Sequence, residues 1–168
     1  MLRKYEYRRR LPHYQPDFKI FFITFCTYQR WELPGRARQI VLDVFLRGDG
    51  KLFGLLALVV MPGHVHVALN PLGDMDRQVS LPEILQAIKS TSSHRINKEL
   101  GHRGTVWQQE SFDRALGQEE HLGDKVEYML LNPVRAGLVR EPMAYPWMWR
   151  KTQGWGEIAL SGSSGSEG

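Results

Sequence analysis

Two apolar periods take turns along this chain, and their order predicts its elements. Ile20-Phe21-Phe22-Ile23-Thr24-Phe25-Cys26-Thr27 is a β-branched and aromatic run, too short and too rich in Phe and Thr for a helix, and it predicts a first strand. Pro34-Gly35 breaks the run, after which Ala37, Ile40, Val41, Val44 and Phe45 recur at helical spacing. Gly48-Asp49-Gly50 ends that helix. Residues 52–60 and 65–69 are again short apolar runs, parted by the turn formers Pro62 and Gly63. They predict an antiparallel hairpin with His64 at its mouth. Ser80-Leu81-Pro82-Glu83 reads as a capping box, with Ser80 as N-cap and Glu83 reaching back. The helix it opens carries Leu81, Leu85, Ile88, Ile96 and Leu100 inward, and Gly101 and Gly104 close it.

Thr105-Val106-Trp107-Gln108-Gln109 starts a fourth strand, running irregularly toward Leu116. Residues 119–131 predict a third helix with Leu122, Val126, Met129 and Leu130 as its apolar side. Asn132-Pro133 interrupts it, because the proline ring forbids the next helical hydrogen bond and restrains Asn132. Strand, helix, strand, strand, helix, strand and an extra helix form the split βαβ order of a ferredoxin-like sheet. The expected fold is therefore α+β: a four-stranded antiparallel sheet with helices on one face, plus a C-terminal helix. Tyr145-Pro146-Trp147-Met148-Trp149 is expected to pack on that body.

Composition adds a division of the chain. Its 168 residues suit one core, and the apolar share of 42% is well above that of a disordered polymer. Residues 1–17 read as a basic arm, 18–150 as the folded domain, and 151–168 as a tail that ends in only Ser, Gly and Glu. Arg3, Lys4, Arg8, Arg9 and Arg10 face one acid, Glu6, and account for the whole net charge of +4. Tyr5, Tyr7 and Tyr14 are interleaved with them, a mixture able to contact phosphates and stack on bases, though a solvated tail has the same composition. No apolar run approaches the roughly 20 residues needed to span a bilayer, and none follows the basic start as a secretory signal requires. The single cysteine, Cys26, reads as a small buried hydrophobe in a reducing cytoplasm.

Candidate chemistry centres on Met61-Pro62-Gly63-His64-Val65-His66-Val67-Ala68-Leu69. Residues two apart on a strand share a face, so His64 and His66 present paired imidazoles while Val65 and Val67 pack on the other side. Such a pair suits a divalent metal, and it also arises from core packing alone. Tyr128 and Asn132 lie four apart on the last helix and share one side of it. A neutral phenol is a poor nucleophile unless the phosphate it attacks is polarised, and an amide carbonyl is a hard ligand fit for Mg²⁺ or Mn²⁺. By helix position alone, Tyr128 reads equally as a core ring with its hydroxyl at the rim.

Arg9-Arg10-Leu11-Pro12-His13, Phe21-Phe22-Ile23-Thr24-Phe25, Met61-Pro62-Gly63-His64-Val65-His66, Val106-Trp107-Gln108 and Tyr128-Met129-Leu130-Leu131-Asn132-Pro133-Val134-Arg135-Ala136-Gly137-Leu138-Val139 occur in that order. Together, over roughly residues 8–150, they resemble the REP-associated tyrosine transposases, an IS200-like branch of the single-tyrosine HUH transposases. The resemblance implies a ferredoxin-like palm, a Mg²⁺ or Mn²⁺ site on His64 and His66, and Tyr128 as the nucleophile. It implies cleavage and rejoining of single-stranded, hairpin-containing (REP-like) DNA through a 5′-phosphotyrosine, by a cytoplasmic monomer or homodimer. Asn132 stands where related transposases carry a Gln as third ligand. It is one methylene shorter, with Glu110 and Asp113 on the neighbouring strand as substitutes. Gly63 stands where Asn is expected. The resemblance puts DNA contacts on the arm and the C-terminal region, with Arg3, Lys4, Arg8, Arg9 and Arg10 as candidates, and Lys89, Arg95 and Arg135 beside them. The weaker third ligand keeps a second reading open, a domesticated DNA-binding protein with little or no cleavage.

Overall fold

The structure, a computed structural model, describes residues 19–73, 77 and 79–152. The expected arm, with Arg3, Lys4, Arg8, Arg9 and Arg10, lies outside the described residues, as does nearly all of the tail. Strand β1 is Phe21–Thr27, β2 is Phe53–Val60, β3 is His64–Pro71, β4 is Trp107–Ala115 and β5 is Met148–Arg150. Helix α1 is Gly35–Gly48, α2 is Leu81–Leu100, α3 is Leu122–Leu130 and α4 is Asn132–Arg135. The strands form one antiparallel sheet in the order β4-β1-β3-β2-β5. This is the expected split βαβ sheet with one correction: it has five strands, not four. Met148–Arg150 pairs with the free edge of β2, which satisfies backbone groups that an edge strand otherwise leaves to solvent. The Tyr145 hydroxyl fastens this return by donating to Val60 O at 2.5 Å.

Alternation along the strands splits the sheet into two differently used faces. Ile23, Phe25, Leu58, Val60, Val65, Val67 and Leu69 pack under α1 and α2 with Ala37, Ile40, Phe45, Ile84 and Ile96. On the other face Ile20, Leu56, Ala57, Val59, Met61 and Ala68 pack under Leu122, Val126, Met129 and Leu130 of α3. Helix α3 is nine residues long and lies over the β2 side of that face, with Val59 and Met61 in its cluster. His64 and His66, the β3 neighbours of those residues, are half-buried beside it.

Local signals explain the boundaries. Ser80 Oγ accepts from Glu83 N at 3.3 Å, as a capping box requires, but the Glu83 carboxylate pairs with Arg77 instead of reaching back. Gly101 ends α2 at φ 66°, a conformation costly for any residue with a Cβ. Pro133 does not halt the last helix. It sits within the first turn of α4, where its missing N–H goes unused, so the helical path resumes after Leu131. Cys26 is a further correction. It is half-buried, and it lies on the histidine face opposite His64 rather than in the core.

Candidate metal and tyrosine site

Antiparallel register builds the histidine site across two strands, β1 and β3. Directly opposed residues share a face, so the Thr24–His66 and Cys26–His64 pairs put all four side chains on the face that α3 partly covers. The two imidazoles stand edge to face with centroids 4.8 Å apart. Thr24 Oγ1 and His66 Nδ1 are hydrogen-bonded at 2.9 Å. With Nδ1 protonated the hydroxyl accepts, and Nε2 keeps the lone pair that a metal takes. Burial lowers the His64 pKa. His66 is pushed down to about 4, first by burial and then by the charges of His64 and Arg135. Both rings are therefore neutral at physiological pH, so a cation need displace no proton from either.

The helical path from α3 into α4 supplies the rest. Residues 128, 132 and 135 fall four and three apart, on one side of that path. Tyr128 is 64% exposed, so its ring is not in the core, and the reading of it as a rim tyrosine falls away. The Arg135 guanidinium lies 4.0 Å from the Tyr128 ring centroid and donates to Tyr128 O at 3.3 Å. The same guanidinium helps depress His66, so it links the tyrosine electrostatically to the histidine pair. Asn132 Nδ2 donates to Met129 O at 2.7 Å. That bond commits the amide's donor end and leaves its carbonyl oxygen as the coordinating end. Two neutral imidazoles and one amide oxygen are donor types open to a divalent ion such as Mn²⁺.

The structure thus brings His64, His66, Tyr128, Asn132 and Arg135 to one face. Lys89 and Arg95 lie on α2, against the opposite face. Lys89 Nζ donates to the carbonyls of Gln108, Gln109 and Glu110 and to Ser111 Oγ, staples the helix to β4, and has its ammonium pKa lowered by burial. Arg95 pairs with Glu99. Asp113 opposes the buried Ile23, so it too faces α2, in a cavity of about 730 Å³ lined by Lys89, Ser111 and Trp107. Glu110 alternates onto the histidine side, yet among the described residues no three His, Cys, Asp or Glu side chains converge as a metal-holding group. Neither carboxylate therefore completes a three-residue group with the histidine pair. Sequence reasoning missed Thr24, although Thr24 and Cys26, two apart, share one side of β1.

No helix among the described residues is long and apolar enough to cross a membrane. A family model described as "Transposase IS200 like" matches residues 17–128. Among solved structures, the chain resembles a REP-associated tyrosine transposase bound to a REP hairpin, with a TM-score of 0.62, 21% identity and 80% of each chain covered. A candidate transposase from Deinococcus radiodurans R1 aligns at a TM-score of 0.48 and 19% identity, over 71% of this chain and 93% of that one. No curated protein sequence matches. The fold likeness and the family match agree: the chain belongs to the IS200-like transposases, enzymes that process DNA.

Proposed function

We propose that the protein cuts and rejoins single-stranded, hairpin-containing DNA through Tyr128. The observation that carries this reading is an exposed Tyr128 stacked by Arg135, whose charge also reaches His66, on the sheet face that carries both histidines. His64, His66 and Asn132 would hold Mg²⁺ or Mn²⁺, which supplies polarisation of the scissile phosphate and neutralises its charge. Tyr128 Oη attacks phosphorus, the bond to the 3′ oxygen breaks, and that oxygen takes up a proton. One phosphodiester is exchanged for another, so the reverse attack by the 3′-hydroxyl rejoins the strand without an external energy source. Arg135, stacked on the nucleophile's ring, orients it and offsets phosphate charge. The REP hairpin bound by the similar structure supports hairpin DNA of that kind as the substrate. Hairpin oligonucleotides with Mn²⁺ should give a covalent protein–DNA adduct that Tyr128→Phe abolishes.

The short reach of Asn132 favours a second reading, hairpin binding with little cleavage. That reading predicts salt-sensitive binding which survives the His64→Ala, His66→Ala double substitution, with no adduct from either protein.

A further inference from the structure

One large apolar side chain on the site's face belongs to neither core cluster of the described residues. Phe112 is 65% exposed in the middle of β4. It opposes Thr24, which opposes His66, so the register sets Phe112, Thr24 and His66 in one row across three strands. Adjacent strands lie about 4.8 Å apart, which puts the Phe112 and His66 backbones on the order of 10 Å from each other. Phe112 is outside the cluster that packs under α3.

Its neighbours identify what it meets. Two residues away on either side, Glu110 and Arg114 share its face of β4, and Arg114 is held in an ion pair with Glu120 at 2.6 Å. A single bare ring between charged side chains is a poor subunit interface, whose centre is normally a contiguous apolar patch depleted in charge. It does suit the flat face of an unpaired base, which stacks on one aromatic side chain and leaves its polar edges in water.

We propose that Phe112 is a stacking platform for a nucleobase flanking the scissile phosphate, so that the single strand runs from the metal and tyrosine site across β1 onto β4. The proposal rests on the reading of that site given above. Stacking needs only a π face, so Phe112 contributes affinity and strand direction with little base preference.

The test uses full-length protein and a hairpin oligonucleotide with single-stranded flanks, carrying 2-aminopurine at successive flank positions in turn. Wild type should quench the fluorophore at one flank position. Phe112→Ala should lose that quench and bind about 5- to 100-fold more weakly, whereas Phe112→Trp should keep both. Phe112 is exposed, so the alanine variant should melt with wild type. Equal affinity and equal quenching for wild type and Phe112→Ala would overturn the proposal. So would a shift from dimer to monomer in sedimentation with DNA affinity unchanged, which would assign the face to a second copy of the chain. Adduct formation by wild type in the same samples reports on the underlying site separately: an adduct with no Phe112 effect sinks only the platform.

Discussion

At the scale of single residues, the site depends on how β1 supports β3. Thr24 does not reach a ligand position itself. Its hydroxyl is bonded to His66 Nδ1, which orients the ring and leaves Nε2 unengaged by Thr24. Thr24→Val removes that bond at nearly constant volume, and Mn²⁺ affinity measured by calorimetry should fall about 10- to 100-fold with the fold retained. Acid should act through His66. The folded protein keeps this ring neutral down to about pH 4, whereas an exposed imidazole in the unfolded chain takes its proton near 6.5. Between those values the unfolded chain binds more protons, so stability of the metal-free protein is full above pH 6.5 and drains away as pH falls toward 4. The loss is ~2–3 kcal/mol. Urea unfolding at stepped pH in EDTA should show this slope in wild type and a shallower one in His66→Gln.

At the scale of elements, the two faces of the sheet can be perturbed apart. The indole of Trp107 on β4 donates to Ser92 Oγ at 2.9 Å, and that hydroxyl donates to Ile88 O at 2.7 Å within α2. Ser92→Ala leaves the buried indole N–H without an acceptor, so it should cost ~1–3 kcal/mol in denaturant unfolding. Mn²⁺ affinity should stay unchanged, because the site lies on the other side of the sheet. Most elements were legible from periodicity, including the hairpin that aims both histidines one way. The third helix was legible as an apolar stripe, but its continuation past Pro133 was not, since a proline reads as a stop unless it occupies a first turn. Strand β5 was illegible for a different reason. Three residues carry no period, and only the free edge of β2 makes Met148–Arg150 a strand.

At the scale of the whole molecule, the order β4-β1-β3-β2-β5 puts one sheet face under α1 and α2 and the other, with the two histidines, under the shorter α3. The histidine pair was legible because residues two apart on a strand share a face, whereas the role expected of Tyr128 came from the resemblance, not from its place on the helix. The basic side chains were harder to place, because a lysine on a helix shows nothing of which sheet face it meets. Lys89 is occupied as a staple between α2 and β4, and Arg135 alone of the three described basic candidates adjoins Tyr128. For the arm, the proposal that Arg8, Arg9 and Arg10 neutralise phosphates has a measurable consequence. Replacing all three with Gln should flatten the dependence of log K on log salt by up to ~2, at about 0.7 for each single-strand phosphate left without its cation. Adduct chemistry at saturating DNA should persist.

Whether Tyr128 takes the 5′ side of a broken DNA strand is tested most directly by labelling one hairpin oligonucleotide at its 3′ end and the same molecule at its 5′ end. Each is incubated with the protein and Mn²⁺ and resolved under denaturing conditions. The expected products are a protein band carrying the 3′ label only and a released 5′-labelled fragment ending in a hydroxyl. Neither should form with Tyr128→Phe or in EDTA. A protein band of equal intensity from Tyr128→Phe, or one carrying the 5′ label, would contradict this chemistry.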